Sequence, residues 1–351
     1  MDSSRGFYAG REGWVVCALR RGAVVCPASL LACALAAGCG PGVSSAIPSA
    51  GSKAAPGEPG GAILGYAWSA SDATLRPMLG VIGSGLVGQS IVPAGTYVAG
   101  AATSASEIGL VEDEAGSLYL LNLPTPTVTQ IATGLSGAAQ ISFAPSGGRA
   151  VVYVAGGTSV MAISGLTGQT DVTTLAVPTG MVLGSAIVSD AGTVLAAVQG
   201  SPVRIGTLAA GGRFSQRATV SQMGGMSFLA GLDDALVADA ASNAVLRLSG
   251  VSAAFSIQAL GNAGVSQPLA VAASQDGHWG LVVNGGDQNV VRVDLTSGIP
   301  NTKIACACQP AQALALHGGK AFRLNEGNGG PVWIADLSAV APRMLFVPAL
   351  P

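Results

Sequence analysis

From residue 62 onward the chain repeats itself about every 42 residues, and this period narrows the available folds more than any other feature. The clearest unit, Leu269–Gly298, reads as a strand, an Asp276-Gly277 turn, a strand, a Gly-rich turn and a third strand. Leu281, Val283, Val291 and Val293 supply the alternating apolar pattern of strands packed on a core. Units at Ile141–Gly168 and Ser185–Leu208 follow the same plan. The third strands are expected to end at Asn122, Ser164, Gly206, Ser249, Asp294 and Asp336, with gaps of 42, 42, 43, 45 and 42 residues. Four short strands in such a period make one blade of a β-propeller. A twisted four-stranded sheet cannot cover both its faces alone, so blades stack face to face in a ring. The expected fold is all-β, a β-propeller of seven four-stranded blades over residues 62–351, with six blades as the alternative. The stretch Ala62–Leu79 holds only the outer part of a blade, so ring closure is expected to mix strands from both termini.

Composition removes several rivals. Only 10% of residues are charged, 49% are apolar, and the net charge is −2. That balance argues against disorder and leaves no basic footprint for nucleic acid. Met78–Ser106 is uncharged and long enough to cross a bilayer, but its six Gly, Pro93 and scattered Ser and Thr do not make a spanning helix. Four Trp and five Tyr are too few for the aromatic girdles of an outer-membrane barrel.

The N-terminus reads as an address. Arg20 and Arg21 precede an uncharged run that ends Ala36-Ala37-Gly38-Cys39. A basic patch, an apolar run and small residues before a cut describe a secretory signal. The last four residues resemble a bacterial lipobox, in which the peptidase cuts before the cysteine and lipid is carried on it. Residues 1–38 are therefore expected to be a signal peptide and Cys39 a lipid anchor; an ordinary secretory signal and an uncleaved anchor are the alternatives. Residues 39–61, rich in Gly, Pro, Ser and Ala, read as a flexible tether. Twelve basic and 16 acidic residues follow residue 38, a net charge of −4, so contact with a membrane is expected through the lipid alone.

Few residues carry chemistry. Gly83 to Gly88 fits G-x-G-x-x-G, but Pro93 stops any following helix, and a Gly-rich blade connection is the better reading. Cys306 and Cys308 are a possible disulfide if the chain kinks before Pro310, with free thiols or a soft-metal pair as alternatives. His278 and His317 are the only histidines, each beside a turn, and no motif recruits them. Arg204, Arg247 and Arg292 recur at gaps of 43 and 45, a possible anion-binding column; inter-blade pairing with carboxylates is the structural alternative. Glu112-Asp113-Glu114 and Asp233-Asp234 are expected to be solvated turn charges, since calcium needs six to eight oxygens in a spacing absent here. No cofactor, metal site or catalytic residue is expected.

Asp276-Gly277, Asn284, Asn289 to Val293, Asp294 and Gly298 together resemble bacterial extracytoplasmic propellers of the YVTN and NHL kind. The resemblance covers one blade well and residues 100 to 340 loosely; Gly206 and Ser249 depart from it where Asp294 stands. It implies a fold and not a reaction. The expected function is an extracytoplasmic, lipid-anchored, monomeric scaffold that binds a protein, peptide or small molecule. A metal-dependent, lactonase-like hydrolase and an envelope-assembly subunit are the alternatives.

Overall fold

The computed structural model describes residues 62–92, 95–123, 126–296, 299–326 and 330–348. They form seven antiparallel sheets arranged as the blades of a β-propeller, and they contain no helix. The signal peptide, the tether and Cys39 lie outside the described residues.

Blade 1 holds β1 (Ile63–Ser69), β2 (Thr74–Val81) and β3 (Ser84–Val87). Blade 2 holds β4 (Tyr97–Thr103), β5 (Ile108–Asp113), β6 (Leu118–Asn122) and β7 (Thr127–Ala132). Blade 3 follows with β8 (Gln140–Phe143), β9 (Arg149–Tyr153), β10 (Ser159–Ser164) and β11 (Asp171–Ala176). Blade 4 has β12 (Leu183–Val188), β13 (Val194–Val198), β14 (Val203–Ala209) and β15 (Arg213–Val220). Blade 5 has β16 (Met223–Phe228), β17 (Ala235–Asp239), β18 (Ala244–Ser249) and β19 (Ser256–Ala259). In blade 6 are β20 (Pro268–Ala273), β21 (Trp279–Asn284), β22 (Asn289–Asp294) and β23 (Thr302–Ala305). Blade 7 closes the series with β24 (Leu314–Ala315), β25 (Ala321–Arg323), β26 (Val332–Asp336) and β27 (Arg343–Val347).

The core lies between blades, as the repeat requires. Each strand alternates, sending successive side chains to the two neighbouring blades. In blade 4, Leu195 and Ile205 pack toward blade 5 while Val194, Ala196 and Leu208 pack toward blade 3. Seven clusters of this kind follow one another around the ring. Every blade-to-blade step has one face of turns joining first to second and third to fourth strands, here the hairpin face. The opposite, connection face carries the links from one blade to the next.

The expected third-strand ends match at Asn122, Ser164, Ser249, Asp294 and Asp336. Blade 4 differs: β14 runs on to Ala209, three residues past Gly206. The Gly211 and Gly212 turn, with φ of 76° and 72°, comes later than the repeat alone implies. G-x-G-x-x-G proves to be a hairpin, with Gly83 at φ 90° and Ser84–Val87 in strand β3.

Closure corrects one expectation. No strand from the C-terminal end joins blade 1, which keeps three strands among the described residues. Strand parity explains the geometry: β3 and β4 run in opposite directions, and so do successive strands within each sheet, so β1 runs against the inner strands of the other blades. It therefore occupies the place of a second strand, and among the described residues the innermost place is left to its neighbours. Leu316 Cδ2 lies 2.7 Å from where a Cβ on Gly65 would stand, Ser104 Oγ donates to Ala315 O at 3.3 Å, and His317 N donates to Leu64 O at 2.8 Å. The side chains of blade 7 and the end of β4 thus fill the hairpin half of the gap. At the connection face Val87 N donates to Pro348 O at 3.3 Å, the other tie between the ends of the ring.

Blade 1 is held instead to blade 2. Trp68 lies against the backbone of β4, and a Cβ on Gly100 would overlap its ring. Gly100→Val is expected to lower stability by about 1–3 kcal/mol through overpacking, read as a lower urea midpoint of the full chain. An unchanged midpoint would mean that Trp68 is free to swing away.

Candidate ligand-binding face

The carboxylates that sequence placed on solvated turns are mostly fasteners. Glu112 is 1% exposed and accepts Ala139 N at 2.7 Å, joining β5 to the link into blade 3. Its pKa is raised by burial, against the hydrogen bond from Ala139. Asp234 accepts Arg247 Nη2 at 2.7 Å, Ser249 Oγ at 3.1 Å and Gly250 N at 3.0 Å. Burial works against its charge, and these donors outweigh burial and hold its pKa low. Asp190 receives Ser146 N at 2.8 Å on one oxygen and Gly231 N at 2.9 Å on the other, so one carboxylate in blade 4 ties both adjacent blades. Among the described residues no group of three or more His, Cys, Asp or Glu lies together in a way that could hold a metal ion.

The arginine column divides. In blade 5 Arg247 pairs across the sheet with Leu236, and in blade 6 Arg292 pairs with Leu281. Arg247 also donates to Leu295 O of blade 6 at 2.9 Å, and Arg292 lies 4.2 Å over the Trp279 ring. Arg204 pairs with Val198 near the start of β14, because that strand runs three residues longer than expected. An odd shift reverses the face, so Arg204 points toward blade 3 while the other two point toward the following blade. The three do not line one groove.

Cys306 and Cys308 are joined by a disulfide, their Cα atoms 5.0 Å apart. Strand β23 ends at Ala305, so the pair sits in the link to blade 7, where the chain is free to kink. His278 lies on an exposed turn with Nδ1 3.5 Å from Thr296 Oγ1, and His317 is exposed on the hairpin face. Two open grooves of about 430 and 800 Å³ run between blades 3 and 4 and between blades 2 and 3. Each has a single charged side chain, Arg149 in the first and Asp171 in the second.

The residue that sequence reasoning passed over is Arg323. Counting up from the hairpin end of each second strand, the same place holds Leu110, Val151, Leu195, Leu236 and Leu281 in blades 2 to 6, each 0–1% exposed. In blade 7 it holds Arg323, 4% exposed, opposite Ile334 on the third strand. The leucine–arginine pairing of blades 5 and 6 is thereby inverted, with the cation one strand nearer the axis. Arg247 on the third strand reaches acceptors; Arg323 on the second strand has Nε and Nη1 buried without one. Gln312, whose backbone N donates to Leu324 O at 3.1 Å, adds a buried Nε2 with no acceptor. Burial lowers the Arg323 pKa to about 10, partly offset by the negative charge of Glu326. Burial in turn raises the Glu326 pKa, against the pull of Arg323. A buried cation left without hydrogen-bonded partners costs several kcal/mol.

No protein-family model matches the sequence, and no curated protein matches it. Solved structures do match in fold. A functionally unknown protein from Desulfotomaculum acetoxidans aligns at TM-score 0.58 and 16% identity, over 82% of this chain and all of that one. AztD from Citrobacter koseri aligns at 0.55 and 12%, over 82% of each chain. Virginiamycin B lyase from Staphylococcus aureus aligns at 0.52 and 13%, over 72% of this chain and 84% of that one. At such identities the likeness shows the propeller fold alone.

Two measurements follow from these contacts. Arg247→Met is expected to cost roughly 1–3 kcal/mol through loss of charged hydrogen bonds, and Arg204→Met less than about 0.5 kcal/mol, both by urea denaturation. Equal costs would restore the common column. Asp276 has a pKa of about 2; burial opposes its charge, but Ser274, the His278 N–H and Lys320 more than offset burial. A carboxyl depressed in the folded state contributes stability that is complete above its unfolded value of about 3.9 and is lost as pH falls toward the folded value. Between about pH 5 and 2, wild type is therefore expected to lose more stability than Asp276→Asn, and parallel curves would show that the fastener contributes nothing.

Proposed function

We propose that the chain is a ligand-binding propeller scaffold, tethered by Cys39 to an extracytoplasmic membrane surface, with no chemistry of its own. One observation carries the reading. Four charged residues are buried among those described, Glu112, Asp239, Asp336 and Arg323. The three carboxylates all accept backbone N–H groups: Glu112 that of Ala139, Asp239 those of Ser221 and Gln222, and Asp336 that of Ser338. They stabilise loops and are not arranged to move protons. Only the cation is left without an acceptor, and a buried unpartnered donor set is a recognition feature. The lipobox-like ending at Cys39 and the Gly/Pro/Ser-rich segment after it support the tethered location.

Two experiments test the reading. Thermal unfolding of the full chain after EDTA, then with calcium or zinc, is expected to show no ion-specific rise. A large rise would put a metal in the fold by mass action and favour a metal-dependent hydrolase. Cys39→Ser is expected to move the protein from the membrane fraction to the soluble extracytoplasmic fraction. Membrane retention equal to wild type would end the lipid-anchor proposal.

A further inference from the structure

We propose that the seam between blades 7 and 1 is a binding site, at the connection face, for a small carboxylate with an apolar body, with Arg323 as its charged contact and Gln312 as a second donor. The proposal rests on the scaffold reading and gives that scaffold a ligand chemistry.

The orientation of the donors follows from strand alternation. Ala321, two residues before Arg323, packs with Leu64, Ala67 and Met78 of blade 1. Phe322 and Leu324 pack toward blade 6. Arg323 therefore faces blade 1. Ala313 also packs toward blade 6, which leaves Gln312 and Leu314 on the blade 1 side. The positions of blade 1 that look back at them offer no ion pair to the cation, and one of them, Thr74, has a buried Oγ1 that is itself without a partner. Ser69 Oγ is 3.1 Å from Ser71 Oγ, and Arg76 Nη2 donates to Asp72 at 2.7 Å. No ion pair or hydrogen bond to Arg323 is made by any described residue.

The seam is sealed below and open above. At the hairpin face Leu316 lies against Gly65, and Ser104 bonds Ala315. Higher up, Leu314 lies directly opposite Arg323 in the sheet and is 42% exposed; among the described residues blade 1 offers no inner strand to cover it.

The donor set names the ligand class. Arg323 Nε and Nη1 and Gln312 Nε2 are all N–H donors, so the occupant must bring oxygens and negative charge. Arg323 supplies one positive charge and Glu326 lies close enough to feel it, which matches a monoanion better than a phosphate dianion. Leu314 beside the cation matches an apolar substituent on that monoanion.

The test is thermal unfolding of the full chain titrated with butyrate and phenylacetate, with butyramide and inorganic phosphate as controls. Both acids are expected to raise the midpoint saturably, and butyramide and phosphate are not. In Arg323→Leu, which restores the residue type of blades 2, 4, 5 and 6, the unliganded midpoint is expected to rise. The acid response is expected to weaken roughly tenfold or more, equivalent to about 1.4 kcal/mol. Should that variant fail to fold, Gln312→Met reports the same loss in smaller measure. Equal responses in wild type and variants, a response to butyramide, or a response to phosphate alone would overturn the site. So would no response to either acid, which would mean that buried water satisfies Arg323. None of those results touches the scaffold reading, which fails instead on an ion-specific shift with calcium or zinc.

Discussion

Everything in this molecule depends on closing a ring of sheets, none of which can bury both its faces alone. The hairpin face shows how closure is reinforced. Ser106 Oγ donates to Gly147 O at 2.9 Å, Ser146 N to Asp190 at 2.8 Å, Gly231 N to the same carboxylate at 2.9 Å, and Gln275 N to Gly319 O at 3.1 Å. Each bond links the first hairpin of one blade to that of the next. Between blades 5 and 6 glycine does the work, since a Cβ on Gly225 would lie 2.8 Å from Ala270 Cα. With few charges available, the chain relies on serine, aspartate and bare backbone at these crossings. Each such bond is worth only about 1 kcal/mol net, and the apolar clusters between blades carry the larger share of stability.

The overall plan was legible in the sequence because a propeller is a repeat, and repetition survives divergence of side chains. Period, strand order and five of the six third-strand ends follow from apolar alternation and from Gly and Asp at turns. The exception is β14, because Gly206 resembles a turn residue whereas the turn is built by Gly211 and Gly212. That slip of three residues also produced the apparent column through Arg204. Closure was hidden for a different reason. Whether Leu316 and Ser104 fill the place of a missing strand depends on contacts between residues more than 200 positions apart, which no local pattern records.

The position of Arg323 within the repeat is itself written in the sequence. The segments IGLVED, AVVYV, VLAAV, ALVAD, WGLVVN and AFRLNE align as second strands, and arginine in the last stands where the others have leucine or, in blade 3, valine. The arginines that recur with the repeat, Arg247 and Arg292, stand on third strands, one strand farther from the axis than Arg323. What no sequence reading could supply was the burial of Arg323 without a partner, because that depends on how blade 7 packs against blade 1, about 250 residues away in the chain. Glu112 and Asp234 taught the same lesson in reverse: charges in an apparent surface cluster turned out to be internal fasteners.

The three-stranded first blade has a mechanical consequence. Because among the described residues no strand is shared between the first blade and the last, the ring is topologically a linear stack of seven units bent until its ends touch. Six joints carry covalent continuity; the seventh consists of packing, the hydrogen bonds of Leu64 and Val87 to blade 7, and the bond from Ser104 of blade 2 to Ala315 across the gap. Opening that joint would leave the other interfaces intact, with blade 1 travelling alongside blade 2 through Trp68. The molecule is thus a split washer, whose slit is the natural line along which it breathes, and whatever occupies the slit acts as a clasp for the whole ring.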